Sequence, residues 1–127
     1  MIRPDYYQDN GGIEPIDVWQ AWELNGFLAS AVKYIHRAGR KEGADDDLQK
    51  AATYLMLACE RKVRFDYWDR GSERAFVRPE FQYWAIVKAW NLPPNLREAL
   101  GALLFARSWL DYKVAANHIT RMETPDA

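Results

Sequence analysis

Apolar residues recur at helical spacing along most of the chain, in two stretches separated by an aperiodic one. At 100° per residue, Phe27, Leu28, Ala31, Tyr34, Ile35 and Ala38 share one side of a predicted helix. Lys33, His36, Arg37 and Arg40 fall on the other. The preceding IEPIDVWQAWEL predicts a helix beginning at Pro15, where proline's missing donor costs nothing, and Asn25-Gly26 interrupts it. A third helix is predicted from about Leu48 to Arg64, with Leu48, Ala51, Ala52, Leu55, Cys59 and Val63 as its apolar stripe. Gly39 and Gly43 close the second helix, and Asp45, Asp46 and Asp47 supply the third with a cap and the acidic first turn its dipole favours.

Periodicity fails around DRGSERAFVRPE, where Gly71, Ser72 and Pro79 mark a connection. Beyond it the first pattern returns. AWELNGFLASAVKYIHRA from residue 21 aligns without a gap with AWNLPPNLREALGALLFA from residue 89, matching Trp22 with Trp90, Leu24 with Leu92 and Leu28 with Leu96. DLQKAATYL from 47 then matches DYKVAANHI from 111. The fold class expected is all-α: one domain, 1–127, made of two degenerate copies of a three-helix unit at 13–64 and 78–122. Gly101, Leu104 and Phe105 stand in the second copy where the first has Lys33, His36 and Arg37. The second copy, apolar on nearly every side of LREALGALLFARSWL, therefore reads as scaffold or as a contact in a homo-oligomer.

Charge sharpens this picture. Lys and Arg number 17 against 18 Asp and Glu, a formal charge of -1, which argues against general nucleic-acid binding. KYIHRAGRK, residues 33–41, nevertheless holds Lys33, His36, Arg37, Arg40 and Lys41 with no carboxylate. Such a strip repels itself unless something negative lies near. Glu42, Asp45, Asp46 and Asp47 follow it and Glu14 and Asp17 precede it, so a surface charge network is one explanation. A phosphate site is the other: Arg offers a planar fork, Lys a movable charge, and Tyr6, Tyr7 and Tyr54 rings on which a base can stack. No glycine-rich phosphate loop is present, so side chains would hold any nucleotide. Glu14 and Asp17, one turn apart, have a spacing that suits Mg²⁺ beside a phosphate, and equally suit helix capping. Among the strip's cations His36 is a poor general acid and reads as a hydrogen-bonding bystander, while His118 reads as packing. Cys59 is the sole cysteine, expected as a buried thiol in a reducing compartment, and no run reaches the ~18 apolar residues of a membrane span.

The order of YY, GIEPIDVWQAW, AVKYIHRAGRK and DLQKAATYL resembles the SaV-like family of small phage proteins over roughly residues 5–58. By that resemblance Tyr7, Glu14, Asp17, Lys33, Tyr34, Arg37, Gly39, Lys41, Asp47, Lys50, Tyr54 and Leu55 sit on family positions. Tyr6 stands where the family usually has His, and Ser30 where it usually has Asn. The resemblance implies a phage or prophage origin and action in the cytoplasm of the infected bacterial host. One coliphage member is a kinase that phosphorylates deoxynucleoside monophosphates without a Walker loop. Carried over, this makes Lys33 and Arg37 the catalytic candidates. Tyr6, Tyr7, Ser30, His36, Arg40, Lys41, Lys50 and Tyr54 become ligand-binding candidates, Glu14 and Asp17 metal ligands for Mg²⁺, and ATP the phosphoryl donor. The alternative is a non-catalytic phage factor that sequesters a nucleotide signal or inhibits a host defence or replication protein. Its support is the aromatic run from Phe65 to Trp84, with Trp68, Phe76 and Phe81, which suits either a contact surface or a core between the copies.

Overall fold

A computed structural model of the chain describes residues 11–39, 45–63 and 77–121. Three helices, α1 (Pro15–Ala21), α2 (Gly26–Ala38) and α3 (Asp45–Glu60), precede a 3₁₀ turn at Pro79–Phe81. Three more follow, α4 (Tyr83–Trp90), α5 (Pro94–Leu104) and α6 (Trp109–Arg121). The fold is all-α, and no strand occurs among the described residues. Local chemistry sets the helix starts. Pro15 occupies the first turn of α1, Asn25 caps α2 by accepting from the Leu28 N–H at 3.1 Å, and the three aspartates fill the first turn of α3.

Helix α3 packs most extensively against both α2 and α6, and α6 against α5. Its buried face, Leu48, Ala51, Ala52, Leu55 and Ala58, is rich in alanine, as is the buried face of α6 with Ala115 and Ala116 beside Ile119. Small side chains let helices approach closely, with Leu55, Tyr112 and Ile119 filling the space between them. The apolar character of α5 is satisfied within the chain, by α6 with smaller contacts to α2 and α4. Trp22 and Trp90, both fully buried, cross-link the halves. The Trp22 indole N–H donates to the Phe81 carbonyl and that of Trp90 to the Ile13 carbonyl, each at 2.7 Å. After α1 and α4 the chain passes through a left-handed residue, Glu23 (φ 52) and Asn91 (φ 50).

Several expectations shift. The buried stripe of α2 is Leu28, Ala31, Val32, Ile35 and His36, rotated from the predicted one, and Phe27, Tyr34 and Ala38 are only partly buried. The cause is that α2 meets α1, α3 and α5, so more than one arc of it is covered. Cys59 is free and half-buried rather than interior. Helix α3 ends at Glu60, and Lys62 takes a positive φ just past it.

Two measurements test this packing. Gly11 has φ +64, and a Cβ on it would sit 2.7 Å from the Ala89 Cβ, whereas Gly12, at φ +83, faces open space. Gly12→Ala should cost about 1 kcal/mol from backbone strain alone, and Gly11→Ala about 1–3 kcal/mol more from overpacking, read as a larger fall in urea midpoint. Tyr83 donates its hydroxyl to the Arg97 carbonyl at 2.7 Å. Burial raises its pKa above the ordinary 10.0, against the Arg97 charge that lowers it and with the Glu98 charge that raises it. An acid whose folded pKa is raised contributes stability that is complete below the unfolded value and is lost as pH rises through the folded one. Stability should therefore drop above pH 10.0, and Tyr83→Phe should make that drop shallower in unfolding curves taken across the alkaline range.

Candidate functional site

Helices α2 and α3 form a hairpin in which Arg37 meets Asp47 near the connection, and Tyr34 meets Lys50 and Tyr54 further along, an antiparallel register. Residues three or four apart share a helix face, which aligns Ser30, Lys33, Tyr34 and Arg37 on α2 with Asp47, Lys50 and Tyr54 on α3. The centre of the seam is the half-buried Tyr34 ring. It lies nearly parallel to the Tyr54 ring, with centroids 5.9 Å apart and planes at 10°, an offset stack. Lys33 Nζ is 5.3 Å from its centroid, Lys50 Nζ 5.4 Å and the Arg37 guanidinium carbon 6.0 Å.

Three positive charges thus share one aromatic ring. Each cation–π contact contributes about 0.5–1 kcal/mol near the surface, while two exposed charges roughly 8 Å apart repel by about 0.5 kcal/mol in water. The ring offsets much of the repulsion and leaves the field of the seam positive. One charge has an internal counter-ion: Arg37 Nε lies 3.8 Å from Asp47 Oδ1, with the Arg37 side chain 26% exposed and that of Asp47 only 3%. Among the described residues, neither Lys33 nor Lys50 pairs with a carboxylate. The charge network considered from the sequence therefore accounts for Arg37 and leaves the two lysines.

His36 does not belong to this seam. At 1% exposure it is buried against the Trp90 ring, centroids 4.6 Å apart, so its assignment to the polar face is corrected, and it is not brought together with the other ligand-binding candidates. The distant Trp90 supplies the surface that covers it, which the local pattern does not reveal. Glu14 and Asp17 form a capping box at the start of α1, the Asp17 carboxylate accepting from the Glu14 N–H at 2.9 Å. Asp17 also lines an open recess of about 220 Å³ with Gln20, Ala21, Val77, Arg78 and Phe81, which includes no residue of the seam. No group of three metal-ligating side chains occurs among the described residues. His118 Nδ1 lies 3.1 Å from Glu98 Oε2, linking α6 to α5. Tyr6, Tyr7, Arg40, Lys41, Trp68 and Phe76 lie outside the described residues. Sequence reasoning missed the two residues that organise the seam: Tyr34, counted as core, and Asp47, counted as a cap. The signal was present in their spacing, since Tyr34 adjoins Lys33 and precedes Arg37 by three, and Asp47 precedes Lys50 by three.

The fold and the seam together define an all-helical protein, among its described residues, with a cationic, tyrosine-bearing seam between its second and third helices. Residues 1–56 match the model of an uncharacterised family, a protein of unknown function (DUF3310). That span holds all seven seam residues, Ser30, Lys33, Tyr34, Arg37, Asp47, Lys50 and Tyr54, and ends within α3. No curated protein and no solved structure matches the chain. Among the described residues no helix is long and apolar enough to cross a membrane.

Asp47→Asn tests the ion pair. It removes the charge facing Arg37 without changing side-chain size, and because Arg37 is partly hydrated the expected loss is about 1–2 kcal/mol in chemical unfolding.

Proposed function

We propose that the α2–α3 seam binds a nucleotide or related phosphorylated ligand. The observation that supports this is the pair of lysines, Lys33 and Lys50, both held against the Tyr34 ring with no carboxylate partner among the described residues. Phosphate oxygens would neutralise them, Arg37 would add its fork once drawn from Asp47, and the edge of the Tyr34–Tyr54 stack offers an apolar face to a base. Ser30, on the same face of α2, supplies a hydroxyl.

The fuller form of the proposal is a nucleoside-monophosphate kinase of phage origin acting in the cytoplasm of its bacterial host. Phosphoryl transfer needs mainly positioning and neutralisation of charge, work that Lys33, Arg37 and Lys50 are equipped to share. Mg²⁺ would then arrive on the ATP phosphates. Glu14 and Asp17 are engaged in capping, and no step is assigned to them. The resemblance between the halves also belongs here. The reciprocal Trp22 and Trp90 hydrogen bonds, with donors and acceptors at the spacing of the gapless sequence match, support two copies of one unit, only the first keeping the cations.

A second reading, a non-catalytic factor contacting a host protein, is favoured by Trp84, 72% exposed on α4. A coupled ATP-consumption assay over a panel of nucleoside monophosphates, run beside calorimetric titration of the same ligands, separates the two. The kinase predicts turnover that falls about tenfold or more in Lys33→Ala and in Lys50→Ala, the loss of one charge-assisted contact of about 1.5–3 kcal/mol. Tight binding without turnover selects sequestration. Binding and turnover both unchanged in the double variant, or absent from the wild type, would sink the seam as the site.

A further inference from the structure

Helix α6 turns an unusual surface to solvent. The described exposed residues along it are Trp109, Leu110, Lys113, Val114, Asn117 and Thr120, with no carboxylate among them. Leu110, 65% exposed, and Val114, 42% exposed, are one turn apart with Lys113 beside them. Trp109 is held in place: its indole N–H donates to the Val63 carbonyl at 2.7 Å, and Lys62 Nζ lies 5.6 Å from its ring centroid. The one acid in α6, Asp111, has its carboxylate committed to the helix start, accepting from the Arg107 N–H at 2.6 Å and the Ser108 N–H at 3.1 Å. Helix α3, by contrast, opens with exposed Asp45 and Asp46 and carries polar side chains along its exposed face.

We propose that Trp109, Leu110 and Val114, rimmed by Lys62, Arg107 and Lys113, form a docking surface for an acidic segment of a partner protein that carries two or three large apolar side chains. Aromatic and aliphatic groups exposed at helical spacing bury area only when something covers them. The rim identifies what covers them. Arg61 and Lys62 outweigh Glu60 where α3 ends, and Arg107 and Lys113 add charge of the same sign. A segment with Asp or Glu flanking Leu, Phe or Trp satisfies both components, the apolar residues on α6 and the carboxylates over the rim. A second copy offering the same face would set Lys62 and Lys113 against their own kind. A membrane is a poorer match, because three apolar side chains on less than two turns, one tied to a carbonyl, bury little in a bilayer and the chain's net charge of -1 gives no general attraction to anionic lipid.

The surface is independent of the nucleotide seam, so its test leaves that proposal untouched. The probe is a short amphipathic peptide with Leu and Phe on one helical face and Glu on the other, compared with the same peptide carrying Lys for Glu. Each is titrated into the full chain, with amide chemical shifts followed by NMR. The acidic peptide should shift the amides around Trp109 and Val114 and weaken as salt rises. The lysine peptide should not bind. Leu110→Glu should cut the affinity about tenfold or more, and Lys113→Glu should exchange the preference between the peptides. Both side chains are exposed, and a glutamate in the first turn of α6 suits its dipole, so unchanged circular dichroism is expected to accompany the loss. Equal binding of both peptides, binding of neither, dimerisation abolished by Leu110→Glu, or co-sedimentation with phosphatidylserine vesicles in place of peptide binding would each overturn the proposal.

Discussion

The arrangement of the protein rests on α3 being packed from two sides. Helix α3, with an alanine-rich buried face, packs most extensively on α2 and on α6, so it joins the cationic seam to the second half. Because α3 is close-packed on α6, the positions of Asp47, Lys50 and Tyr54 relative to α2 depend on how that contact seats the helix. The seam is thus fixed by packing on the far side of the helix that carries half of it. Any change that thickens the alanine interface, such as a larger residue at Ala51 or Ala115, acts on the seam at a distance.

Electrostatics is organised around one aromatic ring. Cations close together on a helix pair are tolerable when a polarisable face lies under them and one carboxylate is buried beside them. Tyr34 provides the first and Asp47 the second. A buried aspartate facing a partly hydrated arginine costs desolvation, and a purely structural contact at that point needs no charge at all. That cost, next to two lysines lacking described acidic partners, is what distinguishes the seam from an ordinary solvated face.

Much of the fold was legible in the chain because it depends on local chemistry. Pro15 and the aspartate run each mark a helix start that the structure places at that point, while Asn25-Gly26, read only as an interruption, proves to be where α2 begins. Lys33 and Arg37 share a face by spacing alone. The errors concentrate where distant residues decide. His36 looks polar and solvent-facing until Trp90, far along the chain, closes over it. Tyr34 looks like core because an amphipathic ring counts as apolar, yet it sits at the boundary where its body packs and its face meets charge. The rotation of the buried stripe on α2 has the same origin, since a helix with three neighbours has no single polar side.

The Ile13 carbonyl accepts its hydrogen bond from Trp90, 77 residues further along the chain, and Gly11 approaches Ala89 alongside it. On the ribosome the segment before α1 therefore emerges long before its binding surface exists. The leading unit can form its helical hairpin early, but the contacts of Gly11 and Ile13 must wait until α4 has been synthesised. Contacts of such long sequence separation slow folding, and they couple the halves into one cooperative event rather than two successive ones. A nascent chain stalled before Trp90 would hold the cationic hairpin without the tryptophan that shields His36.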